Sequence, residues 1–160
     1  MADAVGDLEA LKRHCAALAD AVESALPGWT QRCVAAIADA WRSGLSAQLG
    51  EEAASAGRLA VEEVVPRLRE MLTSDVDAQR TSPLDIVRGA VVFPTMVLRR
   101  AGVPPVERDA FVEQMFPEDI YGLSPASFED VGAGLGELGI VWGAAKAHVI
   151  MQRRRSEGMR

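Results

Sequence analysis

Apolar residues recur every three or four positions along most of the chain. The pattern is clear in three stretches: Leu8, Leu11, Cys15, Leu18, Val22 and Ala25; then Val34, Ile37, Trp41 and Leu45; then Val61, Val64, Val65, Leu68, Met71 and Leu72. This spacing places the apolar side chains on one face of a helix. No alternating stretch is long enough to indicate a strand. The sequence therefore predicts an all-α fold, with residues 1–160 forming one helical domain and 1–6 and 156–160 as flexible ends.

Prolines and glycines set the expected ends and bends of the first helices. We expect Pro27-Gly28 to end the first helix, and Gly50 to separate the second from the third. Pro66 and Pro94 lie inside helical patterns, where the missing N–H and the ring predict a kink or a break.

The second half of the chain carries clearer start and stop signals. Ser82-Pro83 is typical of a helix start, and Gly102 of a helix end. A fifth helix is expected from Pro104-Pro105 to Met115. A sixth is expected to begin at the overlapping start signals of Ser124-Pro125 and Ser127 and to run to about Arg155. The result is an irregular bundle of about six helices.

The stretch 131–151 is the most apolar part of the chain, and its glycines form a stripe of their own: Gly132, Gly136, Gly139 and Gly143. Each glycine destabilises a helix by about 1 kcal/mol relative to alanine, so the stripe predicts close approach of a second helix. We favour a largely buried last helix near the centre of the bundle. Pairing with the same helix of a second subunit is the alternative.

A membrane span through the same stretch is the least favoured interpretation. Glu137 and Lys146 would lie inside it, and each costs about 2.5–3.5 kcal/mol near the bilayer centre. We therefore expect no membrane span.

The composition and charge of the chain argue against some classes of function. The 160 residues are 49% hydrophobic and 25% charged, with a formal net charge of −6. An acidic chain gains no general attraction to phosphate backbones, so general nucleic-acid binding is not expected. The first residues lack the basic and apolar regions of a signal peptide, and the two cysteines lack CxxC spacing, which together favour a cytoplasmic location.

Familiar catalytic and metal motifs are missing from the sequence. The string from Gly134 to Gly139 matches GxGxxG, but a helix-start signal precedes it instead of the strand that a dinucleotide site needs. ExxH, HExxH and GxxxxGK[ST] do not occur. We therefore predict no catalytic, cofactor-binding or metal-binding residues and no cofactor. A non-enzymatic role is favoured over an enzymatic one, which stays open as the alternative.

Two groups of residues remain as candidate sites. The connector 116–121 offers Phe116, Glu118, Asp119 and Tyr121 as a surface for a protein partner, although folding down onto the end of the bundle is the simpler expectation. The last helix offers Trp142, Lys146 and His148 as the lining of an inter-helix pocket, although structural pairing of Lys146 is more common than catalysis.

The strings Phe116-Pro-Glu-Asp-Ile-Tyr-Gly-Leu123 and Trp142-Gly-Ala-Ala-Lys-Ala147, with the trailing Arg153–Arg155, resemble small helical proteins of actinobacterial type. The resemblance is confined to the C-terminal part of the chain. It implies a helical fold and a cytoplasmic location, and it carries over no activity and no functional residues.

Two functions follow as expectations. The first is a non-enzymatic interaction or regulatory module, with a protein partner or self-association as a possible homodimer. The alternative is a small-molecule-binding protein or enzyme with the pocket around Trp142, Lys146 and His148.

Overall fold

The computed structural model describes residues 2–158, with side chains from residue 5 onward. Seven α-helices occur within residues 2–158: α1 (Ala2–Trp41), α2 (Leu45–Gln48), α3 (Gly50–Thr73), α4 (Pro83–Arg88), α5 (Val92–Arg100), α6 (Ala110–Met115) and α7 (Leu135–Gly158). Three short 3-10 turns lie between them: Val76–Ala78, Gly89–Val91 and Phe128–Asp130. Residues 2–158 contain no strand, which confirms the all-α prediction. The expected flexible ends 2–6 and 156–158 fall within α1 and α7, and Met1 and residues 159–160 lie outside the described residues.

Helix α1 is the central element of the fold. Its 40 residues extend over roughly 60 Å. It packs against α3 and α7, and near its C-terminal end also against α2 and α5. Two apolar clusters form the core, one between α1, α3 and α7, and one between the ends of α1 and α3 with α2 and α5.

The expected helix end at Pro27-Gly28 is wrong, because α1 continues to Trp41. Gly57 of α3 crosses α1 at this point, where an added Cβ would lie 3.0 Å from the Cα of Pro27. Leu26 and Trp29 are buried on either side. Their burial, worth about 1.5–3 kcal/mol each, offsets the roughly 3 kcal/mol cost of an internal proline.

The third helix begins at Gly50, close to the expected boundary, and contains Pro66 without a break. The left-handed residue Gly44, with a φ of 83°, separates α1 from the single turn of α2. The predicted second helix, whose apolar stripe runs from Val34 to Leu45, is therefore divided between the end of α1 and α2.

The expected fourth helix is divided as well, but before Pro94 and not at it. Ser82 caps α4 by accepting a hydrogen bond from Leu84 N at 3.3 Å, which confirms the predicted start. The chain then tightens into the 3-10 turn Gly89–Val91. The ring of an internal proline clashes with the carbonyl of the residue four positions earlier, which here is Ala90. The irregular turn therefore comes before Pro94. Gly102, with a φ of 79°, ends α5 as expected.

The last two predicted helix starts are wrong. Helix α6 begins at Ala110 instead of Pro104, because Asp109 caps it by accepting from Val112 N at 2.8 Å. The signal at Ser127 belongs to the 3-10 turn Phe128–Asp130. Helix α7 begins only at Leu135, where the Glu129 carboxylate accepts hydrogen bonds from the backbone of the first turn.

The expectation of a largely buried last helix is also wrong. Leu135 and Val149 are its only buried residues in the described range, and Ile140 is 75% exposed. Gly136 and Gly139 give room to the side chains of Glu129 and Phe128, so part of the glycine stripe accommodates the preceding turn and not a second helix of the chain.

Within residues 2–158, no helix is both long and apolar enough to cross a membrane.

Candidate functional site

Helix α7 has apolar residues on two opposite faces. The inner face packs against the core with a stripe of residues at helical spacing: Leu135, Leu138, Trp142, Ala145 and Val149. The outer face carries a second stripe, all of it exposed: Glu137, Ile140, Ala144, Ala147, Met151 and Arg154. We call these six residues the outer stripe. Their spacing of 3-4-3-4-3 is that of a heptad seam between two helices.

The middle of the outer stripe is apolar and flat. Ile140 and Met151 are 75% and 48% exposed, and only the small residues Ala144 and Ala147 lie between them on the stripe. A Cβ added to the adjacent Gly143 would meet no atom within 4 Å. Small residues on a helix face let a second helix backbone come close, so this face has the shape of a helix-packing surface.

The two ends of the outer stripe carry opposite charges. Glu137 lies in the first turn of α7, and Arg154 lies near its C-terminal end. The helix dipole favours an acid and a base at these respective ends. Neither side chain has an ion-pair partner among residues 5–158.

A shallow groove of about 450 Å³ runs beside the outer stripe, between α1 and α7. Ile140, Ala144 and His148 line it from α7, and Asp7 and His14 line it from α1. His148 Nε2 lies 3.1 Å from Asp7 Oδ2, so the two side chains tie the C-terminal half of α7 to the beginning of α1.

The predicted pocket residues fall on different sides of α7. Lys146 Nζ lies 5.2 Å from the centroid of the Trp142 ring, a cation–π contact on the inner side. His148 instead lines the groove with Asp7. The structure thus pairs Trp142 with Lys146 and places His148 apart from them.

Trp142 also contacts the buried thiol of Cys15. Burial raises the pKa of this thiol, and the nearby Trp142 N–H and Lys146 charge oppose the rise. The indole Nε1 is buried but makes no hydrogen bond of ordinary geometry. A neutral, shielded thiol is a poor nucleophile, so this contact is suited to packing and not to covalent chemistry.

The connector 116–121 is held down by its own polar groups. The buried Asp119 carboxylate accepts hydrogen bonds from Leu123 N at 2.6 Å and Ser124 N at 2.7 Å. The buried Tyr121 hydroxyl donates to Val103 O at 2.6 Å. Phe116 is half-buried against Arg88, and Glu118 is exposed. Of the four residues predicted as a partner surface, Glu118 and part of Phe116 are accessible.

Across residues 5–158, no group of three or more His, Cys, Asp or Glu side chains converges on a point where an ion could bind.

Sequence reasoning missed the outer stripe, although its signal is in the sequence. The heptad spacing from Glu137 to Arg154 can be read directly, but two other stripes on the same helix compete with it. The glycine stripe suggested burial, and the apolar stripe through Trp142 offers a second packing face. Only the packing of α7 on α1 shows which apolar face is left uncovered.

Comparison of the chain with protein-family models, with curated proteins and with solved structures finds no match.

Proposed function

We propose that the protein is a non-enzymatic helical interaction module that self-associates through the outer stripe of α7. The observation that carries the proposal is the 75% exposure of Ile140 in the apolar part of a heptad seam. A branched apolar side chain in water on a flat helix face gains free energy when a partner covers it. The two free thiols, Cys15 and Cys33, support the cytoplasmic location that we propose with it.

The partner is a second copy of the chain, with its α7 antiparallel to the first. In this arrangement Glu137 faces the partner's Arg154, Ile140 faces the partner's Met151, and Ala144 faces the partner's Ala147. The same three pairs recur on both sides of a two-fold axis, so the surface is complementary to itself. A parallel arrangement would place Glu137 against Glu137 and Arg154 against Arg154, which is repulsive at both ends.

The contact is expected to be dissociable. The outer stripe is roughly 26 Å long, and its central residues are small. A contact of this size lies towards the low end for specific interfaces. We therefore expect a monomer–dimer equilibrium that depends on concentration.

Introducing a charge at the most exposed apolar residue of the stripe tests self-association. We expect Ile140→Glu to be monomeric at concentrations where the wild type is dimeric, because the interface would bury two unpaired carboxylates. Sedimentation equilibrium over a concentration series measures this. Phe111→Glu is the matched control, since Phe111 is 69% exposed on α6, away from the stripe, and should leave the equilibrium unchanged. A wild type that stays monomeric throughout would contradict the proposal.

Charge reversal tests the antiparallel arrangement separately. Glu137→Arg and Arg154→Glu should each weaken the dimer about tenfold, because each places like charges together at both ends. The double variant should recover the wild-type Kd, because it restores both pairs with the signs exchanged. Dimerisation without this recovery would reject the antiparallel arrangement while leaving self-association in place.

A further inference from the structure

Both histidines of the chain line the groove between α1 and α7, beside the outer stripe. His148 lies on α7 and His14 on α1, and the sequence contains no other histidine. The side chain of His148 is 55% exposed, and His14 is partly exposed. Imidazole is the commonest side-chain ligand of metal ions. The groove therefore holds all the imidazole donors that the chain can offer to a metal ion.

His148 and Asp7 are spaced like two ligands of one ion. His148 Nε2 and Asp7 Oδ2 are 3.1 Å apart. Two ligands that bind a tetrahedral zinc ion at about 2.0–2.2 Å lie roughly 3.4 Å from each other. The carboxylate oxygen is buried and accepts no hydrogen bond of ordinary geometry. It therefore has a lone pair free beside an imidazole nitrogen, and a shared cation would satisfy both atoms.

One copy of the chain supplies too few ligands for a zinc site. Within residues 5–158, no third His, Cys, Asp or Glu side chain joins His148 and Asp7. His14 lies on the same face of α1 as Asp7, but seven residues, or about 10 Å, further along the helix. Helices α1 and α7 are antiparallel, and Cys15, next to His14, contacts Trp142. His14 therefore lies near the level of Trp142, more than one helical turn before His148.

The antiparallel dimer brings these two parts together. Its two-fold axis passes midway between Ala144 and Ala147. Along α7, His148 lies about 4 Å beyond this axis and His14 about 4 Å before it. The two-fold rotation exchanges these levels and keeps the groove on the same side of the helix pair. The His148–Asp7 pair of each copy thus arrives at the level of the partner's His14.

We propose that the dimer binds zinc at two symmetric sites, each formed by His148 and Asp7 of one copy and His14 of the other, with water as the fourth ligand. This inference rests on the antiparallel self-association proposed above. Imidazole and carboxylate groups are ligands that zinc commonly takes. A monomer holds only two of the three protein ligands, so zinc binds the dimer more tightly and stabilises it.

Zinc titration of the untagged, metal-free protein tests the site. Sedimentation equilibrium should show that zinc chloride lowers the Kd of the dimer at least tenfold, and calorimetry should give one zinc ion per chain. His14→Ala and Asp7→Asn should each remove this effect while dimerising as before without zinc. Glu9 is an exposed acid of α1 outside the groove, so Glu9→Gln is the matched control and should respond like the wild type.

Mixing two variants tests whether the ligands come from different copies. A heterodimer of His14→Ala with His148→Ala keeps one complete site, because the first copy supplies His148 and Asp7 and the second supplies His14. Zinc should therefore strengthen the mixed dimer but neither variant alone.

The outcomes separate this inference from the proposed function. A wild-type dimer that does not respond to zinc, or a mixture that does not respond, would overturn the shared zinc site and leave self-association in place. A wild type that stays monomeric both with and without zinc would contradict self-association, and the site with it.

Discussion

At the scale of single residues, Asp119 stabilises more of the fold than its place in a connector suggests. Its side chain is buried, and both of its oxygens accept backbone hydrogen bonds. Without the carboxylate, the N–H groups of Leu123 and Ser124 would lose their acceptors. Its neighbour Glu118 points into solvent and forms no ion pair in the described chain.

This difference predicts opposite outcomes for two adjacent acids. Asp119→Ala should lower the free energy of unfolding by about 2–4 kcal/mol, because two charge-assisted hydrogen bonds are lost. Glu118→Ala should change it by less than about 0.5 kcal/mol. Urea unfolding of the two variants measures both values. Similar losses in the two variants would show that the connector is not held by Asp119.

Cys33 makes the stability of the protein depend on alkaline pH. Burial raises the pKa of this thiol to about 12, against 9.0 for an ordinary thiol. Above pH 9 the unfolded chain loses this proton while the folded chain keeps it. The contribution of Cys33 to stability is therefore complete below pH 9 and is lost as the pH rises towards 12.

A Cys33→Ala variant tests this linkage. Between pH 9 and 11, its free energy of unfolding should fall less steeply with pH than that of the wild type. Urea unfolding at one-unit intervals of pH measures the slope, and pH 7–8 provides the internal control, since the slopes should agree there. Parallel slopes up to pH 11 would mean that the thiol is not shielded.

At the scale of elements, the crossing of α1 and α3 explains why a proline can lie inside a 40-residue helix. The crossing point pairs Pro27 with Gly57, and the backbones are in contact. The absence of a side chain at Gly57 is what lets Leu26 and Trp29 reach the core. The glycine on one helix thus compensates for the proline on the other.

Gly57→Ala is therefore expected to be destabilising, although alanine is the better helix former. Its Cβ would lie 3.0 Å from Pro27 Cα, so the helices must move apart, at a cost of about 1–3 kcal/mol. At Gly50, the first residue of the same helix, a Cβ meets nothing within 4 Å. Gly50→Ala should be neutral or stabilising by up to about 1 kcal/mol. Thermal unfolding compares the two, and a stable Gly57→Ala would show that the crossing can relax.

At the scale of the whole molecule, α1 lies between two partly uncovered apolar surfaces. Helix α7 covers one side of α1 and presents the outer stripe, and an apolar cavity of about 440 Å³ opens between α1, the end of α3 and the segment 74–79. Arg153 lies between them, close to Arg154 of the stripe and part of the cavity wall.

Self-association should couple to stability. If folded monomers pair and unfolded chains do not, the Tm of the wild type should rise with protein concentration. The Tm of Ile140→Glu should not change over the same range, and Phe111→Glu should follow the wild type. Differential scanning calorimetry at several concentrations measures this dependence. A wild-type Tm that does not vary with concentration would argue against pairing in that range.

Local signals in the sequence were enough to determine the fold class and several helix ends. Periodic apolar residues identified the helices, Ser82 identified the cap of α4, and Gly102 identified the end of α5. These features depend on residues within one or two turns of each other. The hydrogen bond or the backbone angle that produces them is local, so neighbouring residues suffice to predict it.

Tertiary packing decided the rest. Pro27 does not end α1 because Gly57, thirty residues away, lets α3 pack directly against the helix at that point. Helix α7 has an uncovered face because α1 can cover only one of its two apolar stripes. The cavity, likewise, is made by α1, α3, the segment 74–79 and Arg153 of α7 together. Arg69 meets Asp20 and Glu23 only because α3 packs against α1. The sequence specifies which residues are apolar or charged, but burial is a property of the contacts between distant segments, and only the folded chain determines which of them meet.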